Sequence, residues 1–240
     1  MTESVKEVIG ELRPLRCELD ILSRSDGSAV FAQGETVVIA SVHGPVEVKL
    51  QNLQYDRSSV EVFYKSKTGQ QSVGDRFREQ YIRNTCESAL LTAIYPRTAV
   101  SLQLQEMEDR AGVIIHYAPS ISPKLLFNSL IACAVNAACM SLLHSGLEMR
   151  FLVAAVHCAL RPSGAILLDP DVRTMAEEGG TVAAFTFAFD SIDRRTVAVH
   201  TEGKYTAEQF NQAQNACREA SAAIFDFYRS SFKKYMKVYC

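Results

Sequence analysis

The chain has 240 residues, of which 48% are hydrophobic and 22% are charged, and its net charge at pH 7 is −2. These values are ordinary for a globular protein with a sizeable core, and the small net charge excludes a global basic field for nucleic acid. The opening residues, MTESVKEVIGELRP, are charged where a signal peptide needs an apolar core, and no apolar run is long enough to span a bilayer, so we expect neither.

The first part of the chain has the pattern of a β-meander. Residues 15–22 (LRCELDIL) alternate in polarity, and Asp26-Gly27 in the following SRSDG is a strong turn signal. The pattern predicts four further strands, with a break at Gly44-Pro45: SAVFAQ, ETVVIASVHG, VEVKL and SSVEVFYK.

The pattern then changes to a helical period. The segment GDRFREQYIRNTCESALLTAIYP predicts a helix that ends at Pro96, with an apolar stripe of Phe77, Tyr81, Cys86, Ala89, Leu90, Ala93 and Ile94. TAVSLQLQEM alternates cleanly, as in a half-buried strand. After an irregular segment, SLIACAVNAACMSLLHSG is apolar on nearly every side, which predicts a buried helix ending at Gly146.

The rest of the chain predicts strands and one more helix. FLVAAVHCAL and GAILLDP are typical of buried strands, and TVAAFTFAFD with RTVAVHTEG indicates an antiparallel pair. The last helix starts at Thr206, because Thr206 and Gln209 have capping-box spacing. This order of elements predicts an α+β protein with mixed or antiparallel sheets layered with helices, in two closely packed halves, residues 10–149 and 150–240.

Seven cysteines form no CxxC motif and no cluster with histidine, and several lie in apolar runs. This favours free thiols that act as small core residues in a reducing, intracellular compartment. His157 also lies in an apolar strand, so we interpret it as a hydrogen-bonded core histidine.

Two groups of side chains are candidates for chemistry. Asp169, Asp171, Glu177 and Glu178 follow a predicted buried strand, a position from which carboxylates can hold Mg²⁺ beside a phosphate. An acidic surface loop with helix-capping aspartates is the simpler interpretation.

The second group opens the first predicted helix. Arg76, Arg78 and Arg83 have tyrosine among them, a combination that can follow an RNA backbone. A solvated helix face is the simpler interpretation of these arginines.

Several stretches between about residues 10 and 235 together carry a resemblance. They are Leu12-Arg13-Pro14, SRSDGSA, Gln33-Gly34-Glu35-Thr36, IRNTCESALLTAIYPRT, NAACMSLL, GAILLDP, TFAFDS and TEGKY. In this order they resemble the RNase PH family, in particular the RNase PH-type ring subunits of the eukaryotic RNA exosome most similar to bacterial RNase PH. The resemblance implies an RNase PH-like fold of two βαβ-like halves.

The resemblance also implies a setting for the chain. Exosome relatives form a six-membered ring with an RNA channel, capped by RNA-binding subunits. The implied work is 3′→5′ RNA processing and degradation, including rRNA processing and mRNA decay, in the nucleus, nucleolus and cytoplasm. Other ring subunits, cap subunits and RNA are the expected partners, without a membrane. Arg76, Arg78 and Arg83 are the candidates for contacts along the RNA path.

Active members of this family have a Gly-Gly-Thr-Arg-Thr-Ala turn before the buried helix, and it binds the attacking phosphate in the manner of an anion at a helix N-terminus. Here Ala111-Gly112 is followed by Val113–Asn128, which resembles an insertion. It lacks arginine and threonine, Lys124 is its only cation, and its prolines favour a loop over a helix extension. We therefore expect the phosphate site to be absent.

The acidic positions are degenerate as well. Active members place a second aspartate about a turn beyond the position of Asp169, where this chain reads Arg-Thr-Met-Ala; Glu177 and Glu178 lie in a different register. We therefore predict a non-catalytic structural subunit without a resident cofactor or metal. Two alternatives stay open. One is an active phosphate-dependent 3′→5′ exoribonuclease that uses Asp169 with Glu177 or Glu178, and the other is an unrelated small-molecule enzyme of the α+β class.

Overall fold

A computed structural model describes residues 8–10, 12–67, 71–108, 123–171, 174 and 181–239. The strands are β1 (Val8–Ile9), β2 (Leu15–Leu19), β3 (Gly27–Gln33), β4 (Thr36–Glu47), β5 (Ser59–Lys65), β6 (Thr98–Glu108), β7 (Val153–Leu160), β8 (Ile166–Leu168), β9 (Ala183–Asp190) and β10 (Thr196–Gly203). The helices are α1 (Val73–Ala89), α2 (Pro123–Ser145) and α3 (Ala207–Tyr239), with short 3-10 helices at Leu50–Asn52 and Thr92–Ile94. None of the described helices is both long and apolar enough to span a membrane.

Two five-stranded sheets organise the described part of the chain. The N-terminal sheet has the order β2-β3-β4-β6-β5, and the C-terminal sheet has the order β1-β8-β7-β9-β10. Both sheets mix parallel and antiparallel pairs, since β5 runs parallel to β6 and β1 runs parallel to β8. The predicted α+β class with mixed sheets is confirmed.

The predicted β-meander is confirmed only as far as β4. β2, β3 and β4 pair antiparallel in sequence, but β5 leaves that order and pairs with β6 instead. A parallel pair needs a crossover connection, and α1 supplies it, so β5, α1 and β6 form a βαβ unit. The predicted break at Gly44-Pro45 is also wrong, because β4 continues through it with a register shift between His43 and Val46.

Helix α1 begins with a capping box and ends earlier than predicted. The Ser72 side chain accepts from the Asp75 N–H, and the Asp75 carboxylate accepts from the Ser72 N–H. The helix stops at Ala89 rather than at Pro96, because the backbone there turns to pair with the segment after α2. The Arg150 N–H donates to the Ala89 carbonyl at 2.7 Å. Of the predicted stripe, Tyr81, Cys86, Ala89 and Leu90 are buried, whereas Phe77, Ala93 and Ile94 are exposed.

Helix α2 is longer than predicted. It starts at Pro123, so the loop predicted for Val113–Asn128 is wrong over residues 123–128, and residues 113–122 lie outside the described residues. Proline fits the first position of a helix, where its missing N–H would be unpaired anyway. Gly146 follows the helix with a φ of +73°, as the sequence predicts.

The core runs from one sheet to the other through α2. Asn136 on this helix donates to the Ala155 carbonyl of β7 at 3.0 Å and accepts from the Tyr228 hydroxyl of α3 at 2.8 Å. The Tyr228 ring meets Phe31 of β3 edge-on. These contacts join both sheets to α2 and α3, and the division at residues 149 and 150 stays a prediction.

Two predictions about individual side chains are confirmed. The capping box at the start of α3 is present, because the Thr206 N–H donates to Gln209 and the Gln209 N–H donates to Thr206. The cysteines of the described residues are free thiols, with Cys17 half-buried and five others buried: Cys86, Cys133, Cys139, Cys158 and Cys217. Burial raises the pKa of the Cys86 and Cys139 thiols to about 12, as expected of unreactive core residues.

Candidate functional site

Asp169 directly follows β8 and is fully engaged by hydrogen bonds. Its Oδ1 accepts from Nη2 of Arg13 at 2.7 Å, and its Oδ2 accepts from Nε2 of Gln33 at 2.8 Å and from the Arg13 backbone N–H at 3.1 Å. The aspartate side chain is 0% exposed and that of Arg13 is 14% exposed. A metal ion could reach this carboxylate only by displacing an arginine from it.

Gly34 leaves space for the Arg13 side chain in this ion pair. A side chain at Gly34 would place its Cβ 2.9 Å from Cδ of Arg13, and the φ of Gly34 is +62°, so glycine leaves room for the arginine. Burial alone would lower the pKa of Arg13, but its hydrogen bond to Asp169 and the charge of Asp169 outweigh that effect and raise it. Arg13 and Gln33 lie in the stretches that carry the family resemblance, but sequence reasoning missed that both hold Asp169.

His157 lies beside this ion pair. The Asp169 N–H donates to the His157 carbonyl at 2.9 Å, and Nδ1 of the buried ring lies 3.1 Å from the Phe185 carbonyl oxygen, which confirms the predicted core histidine. Burial lowers the pKa of His157 to about 4, so the imidazole is neutral at pH 7. We name Arg13, Gln33, His157 and Asp169 the Asp169 cluster. Three of its buried polar atoms have no hydrogen-bond partner within the described part of the chain: Arg13 Nε, Gln33 Oε1 and His157 Nε2.

Of the other predicted acidic positions the structure describes only Asp171, whose charge acts on Arg13. Glu177 and Glu178 lie outside the described residues, and Asp171 is half-buried just beyond the cluster. Across the residues that the structure describes, no group of three or more His, Cys, Asp or Glu side chains is arranged to hold a metal ion. Among the predicted acidic positions, the described residues therefore show Asp169 held by Arg13 and Gln33.

The three candidate arginines of α1 do not share one environment. Arg78 is buried, forms a 2.6 Å ion pair with Asp75, and lies over the Tyr64 ring at 5.2 Å from its centroid. The Tyr64 hydroxyl donates to Glu106 at 3.3 Å, and burial together with the charge of Glu106 raises the pKa of that hydroxyl. Arg78 thus anchors α1 to β5 and faces the protein interior. The sequence analysis missed this network, and the capping-box spacing of Ser72 and Asp75 is the signal that could have found it.

Arg76 and Arg83 are exposed and lie two turns apart, on one face of α1. With Lys49 they line an open groove of about 630 Å³ between α1, β5 and the segment around Leu50–Asn52. Lys49 is the third basic residue of this groove, although the sequence pattern around it predicted only a strand.

Two carboxylates also line this groove, and protein groups engage both. Glu61 accepts from the Asn52 side chain at 2.7 Å, and Glu79 accepts from the Tyr64 N–H at 2.9 Å. Because these glutamates reduce the positive potential, the groove can attract an RNA backbone only modestly.

Comparison with known proteins identifies the family of the chain. Residues 11–148 match the family described as the 3′ exoribonuclease family, domain 1, or RNase PH. A protein of Arabidopsis thaliana described as an exosome complex exonuclease RRP46 homolog is 32% identical over 198 residues, which cover 82% of this chain and 73% of that protein.

Solved structures agree with this match. The crystal structure of Rrp46 from rice (Oryza sativa) is 27% identical, covers 93% of this chain and 96% of its own, and superposes with a TM-score of 0.80. An archaeal exosome core subunit, 15% identical, shares the fold with a TM-score of 0.70 over 91% of this chain and 87% of its own. The predicted RNase PH-like fold is confirmed, and the alternative of an unrelated small-molecule enzyme is excluded. With a family match across more than half of its length, this chain belongs to the RNase PH family of 3′ exoribonucleases.

Proposed function

We propose that this chain is a non-catalytic ring subunit of an RNA exosome. In this role it holds the ring together and lines the path of RNA that other subunits process and degrade from the 3′ end. The names of its relatives and the likeness to rice Rrp46 support the exosome assignment. The partners proposed with it are other RNase PH-type ring subunits, RNA-binding cap subunits and RNA.

The observation that carries the non-catalytic part of the proposal is the engaged state of Asp169. Both carboxylate oxygens accept hydrogen bonds from Arg13 and Gln33, in a site from which solvent is excluded. The sequence supports the same conclusion, because Met175 stands where active relatives have a second aspartate, and no arginine lies between Gly112 and Ser129. A phosphorolytic site needs an anion-binding group and an acidic partner together.

The second candidate function is an active phosphate-dependent 3′→5′ exoribonuclease. The description of the Arabidopsis relative as an exonuclease favours it. Asp169 with Glu177 or Glu178 would then supply the acidic side chains.

One assay separates these two functions. Purified chain is incubated with 3′-tailed RNA, Mg²⁺ and inorganic phosphate, and nucleoside diphosphates are measured by chromatography beside an active bacterial RNase PH. We expect no product above background. The matched variant is Glu177→Gln with Glu178→Gln, because Asp169→Ala would leave the Arg13 charge buried without a partner and strongly destabilise the chain. Diphosphate release that the folded double variant loses would establish the enzyme and refute the proposal.

Assembly and location are tested in cells. We expect a tagged chain to co-purify with ring and cap subunits, and to distribute between nucleus, nucleolus and cytoplasm in fluorescence images. Purification of the tagged chain alone, under conditions that keep exosomes intact, would contradict the assembly.

The contacts with RNA are proposed for Arg76 and Arg83. Both are exposed on one face of α1, whereas Arg78 contributes indirectly by fixing the start of that helix through Asp75.

A further inference from the structure

Strand β2 lies at an edge of the N-terminal sheet, and its outer side has no paired strand within the described part of the chain. The Asp20 N–H donates to the Ser28 carbonyl, and the Gly34 N–H donates to the Pro14 carbonyl. Because bonded positions alternate in an antiparallel pair, even-numbered residues of β2 direct their backbone groups toward β3. The N–H and C=O groups of Leu15, Cys17 and Leu19 therefore point away from the sheet.

This edge forms one wall of a groove of about 690 Å³, and α3 forms the other wall. We define the β2 groove by Leu15–Leu19 and five residues of α3: Phe227, Ser230, Ser231, Lys234 and Tyr235. The Phe227 ring meets Phe31 edge-on at 6.1 Å, and the Tyr235 hydroxyl lies 3.0 Å from Nε2 of His144. These contacts fix the helix wall, and the two serines between the rings leave open space.

The helix wall of the groove has one cation, Lys234, and Lys233 and Lys237 lie close to it along α3. Arg229 forms an ion pair with Asp226, which offsets its charge. The strand wall adds Arg16 and Glu18, whose charges offset each other. A segment seated against α3 therefore meets positive charge at Lys234 beside the apolar rings of Phe227 and Tyr235.

We propose that the β2 groove binds an extended acidic and apolar segment of a partner protein, which adds a strand to the sheet. Addition of a strand to a free edge uses backbone hydrogen bonds for affinity and alternate side chains for specificity. Cys17 is in register with Phe31, whose ring contacts α3, so side chains opposite Leu15, Cys17 and Leu19 point toward the helix. There an apolar side chain packs on Phe227, and a carboxylate reaches Lys234.

Charge favours such a segment over a second copy of this chain. Symmetric pairing of two β2 edges would bring two cationic α3 ends together, which is repulsive. The partner segment supplies the missing negative charge. The groove is present in the isolated chain, so its test does not depend on assembly of a ring.

Two matched pairs of variants probe the groove. Cys17→Pro removes an outward N–H while the bonds to β3 remain, since an edge strand tolerates proline where its N–H faces outward. Cys17→Val keeps that N–H at similar volume. Lys234→Glu reverses a charge in the groove, and Lys233→Glu makes the same change beside it.

The probes are two fluorescent nonapeptides, Val-Thr-Glu-Thr-Val-Thr-Glu-Thr-Val and the same sequence with lysine in place of both glutamates, so that valine and charge share the face of the strand that meets α3. Binding to the full chain is followed by fluorescence anisotropy and by amide hydrogen exchange. We expect the glutamate peptide to bind at least about tenfold more tightly than the lysine peptide and to slow exchange at Leu15, Cys17 and Leu19. Cys17→Pro and Lys234→Glu should weaken binding about tenfold, and Cys17→Val and Lys233→Glu less than about twofold.

Three results would overturn the proposal. The first is absence of binding, or equal affinity within either matched pair of variants. The second is slow exchange at those amides in the free chain, which would mean that the edge is already paired. The third is self-association that Cys17→Pro abolishes in sedimentation, which would assign the edge to a second copy.

Discussion

Asp169 joins parts of the chain that lie far apart in sequence. The ion pair with Arg13 spans 156 positions, and the bond from Gln33 brings in the end of β3. A buried ion pair contributes modestly to stability while it is intact, because desolvation offsets most of the attraction. Loss of one partner is costly, because the other charge stays buried and alone. The role that we propose for Asp169 is therefore to join these distant parts of the fold.

Asp169→Asn should lower the free energy of unfolding by about 3 kcal/mol. The amide leaves the Arg13 charge without its counterion, and in either orientation its NH2 group faces another donor, the Gln33 amide or the Arg13 guanidinium. Urea denaturation followed by circular dichroism measures the loss. Asp226→Asn is the matched control, since it breaks an exposed pair with Arg229 and should change stability by less than about 0.5 kcal/mol. Equal effects of the two substitutions would show that the buried ion pair contributes no more to stability than the exposed one.

His157 should make the protein less stable as the pH falls. Its folded pKa of about 4 lies below the ordinary value of about 6.5, so the unfolded chain takes up the proton first. The stabilisation that the neutral ring provides is complete above pH 6.5. It is lost progressively toward pH 4, which lowers the free energy of unfolding by up to about 3 kcal/mol. His157→Gln should flatten the pH dependence of the unfolding free energy over that interval, measured by urea denaturation at stepped pH. An unchanged slope in His157→Gln would disprove the assignment.

At the scale of residues, pattern and chemistry predicted some environments well. An apolar run around His157 was enough to predict a buried, hydrogen-bonded histidine. The partners of Asp169 were not predictable, because Arg13 and Gln33 reach it only after two sheets have packed. Arg78 is a different case, because its position on α1, four residues before the buried Ile82, already separates it from the exposed Arg76 and Arg83.

Local sequence patterns predict a secondary-structure element when hydrogen bonds between nearby residues determine where it begins and ends. The alternation of β6, the apolar α2 and the capping box of α3 were all visible in the sequence. The end of α1 was not, because Ala89 bonds to Arg150, far along the chain. The pairing of β5 with β6 likewise depends on the crossover through α1. The residues of a strand alone do not determine which strand it pairs with.

Close packing of β3 on α2 depends on Gly27. A Cβ at this position would lie 2.5 Å from the Ser141 carbonyl oxygen and 2.6 Å from Cβ of Ser145. Gly27→Ala should therefore push helix and strand apart and cost about 1–3 kcal/mol, measured by thermal and urea unfolding. In Gly74→Ala the nearest atom is 3.6 Å away and the residue is helical, so that variant should gain up to about 1 kcal/mol. A neutral Gly27→Ala would mean that the helix shifts without loss.

At the scale of the whole molecule, the core is continuous and the candidate contact surfaces lie outside it. Both sheets pack through α2, while the groove beside α1 and the β2 groove lie at the surface. Family membership assigns the fold, but the exposed residues decide what the fold contacts. For a proposed ring subunit, RNA and protein partners therefore have separate surfaces.

Replacement of Arg76 and Arg83 by glutamine should reduce binding of single-stranded RNA to the assembled ring. Each lost phosphate contact makes the plot of log affinity against log salt shallower by about 0.7, so the pair should change the slope by about 1.4. Filter binding across a salt series measures this slope. Arg194→Gln with Arg195→Gln removes the same charge from the exposed turn between β9 and β10 and should leave the slope unchanged. If both double variants give the wild-type slope, the groove beside α1 does not contact RNA.

The short strand β1 has a consequence for how the protein is made. Val8 and Ile9 pair with Ile166 and Leu167, so one margin of the C-terminal sheet is built from residues that leave the ribosome well before their partners. These residues must wait, unpaired, until most of the chain has been synthesised. In nascent chains arrested before β8, we therefore expect β2, β3 and β4 to be paired and the β1 segment to be sensitive to protease. The β1 segment should become protected only once β8 has emerged.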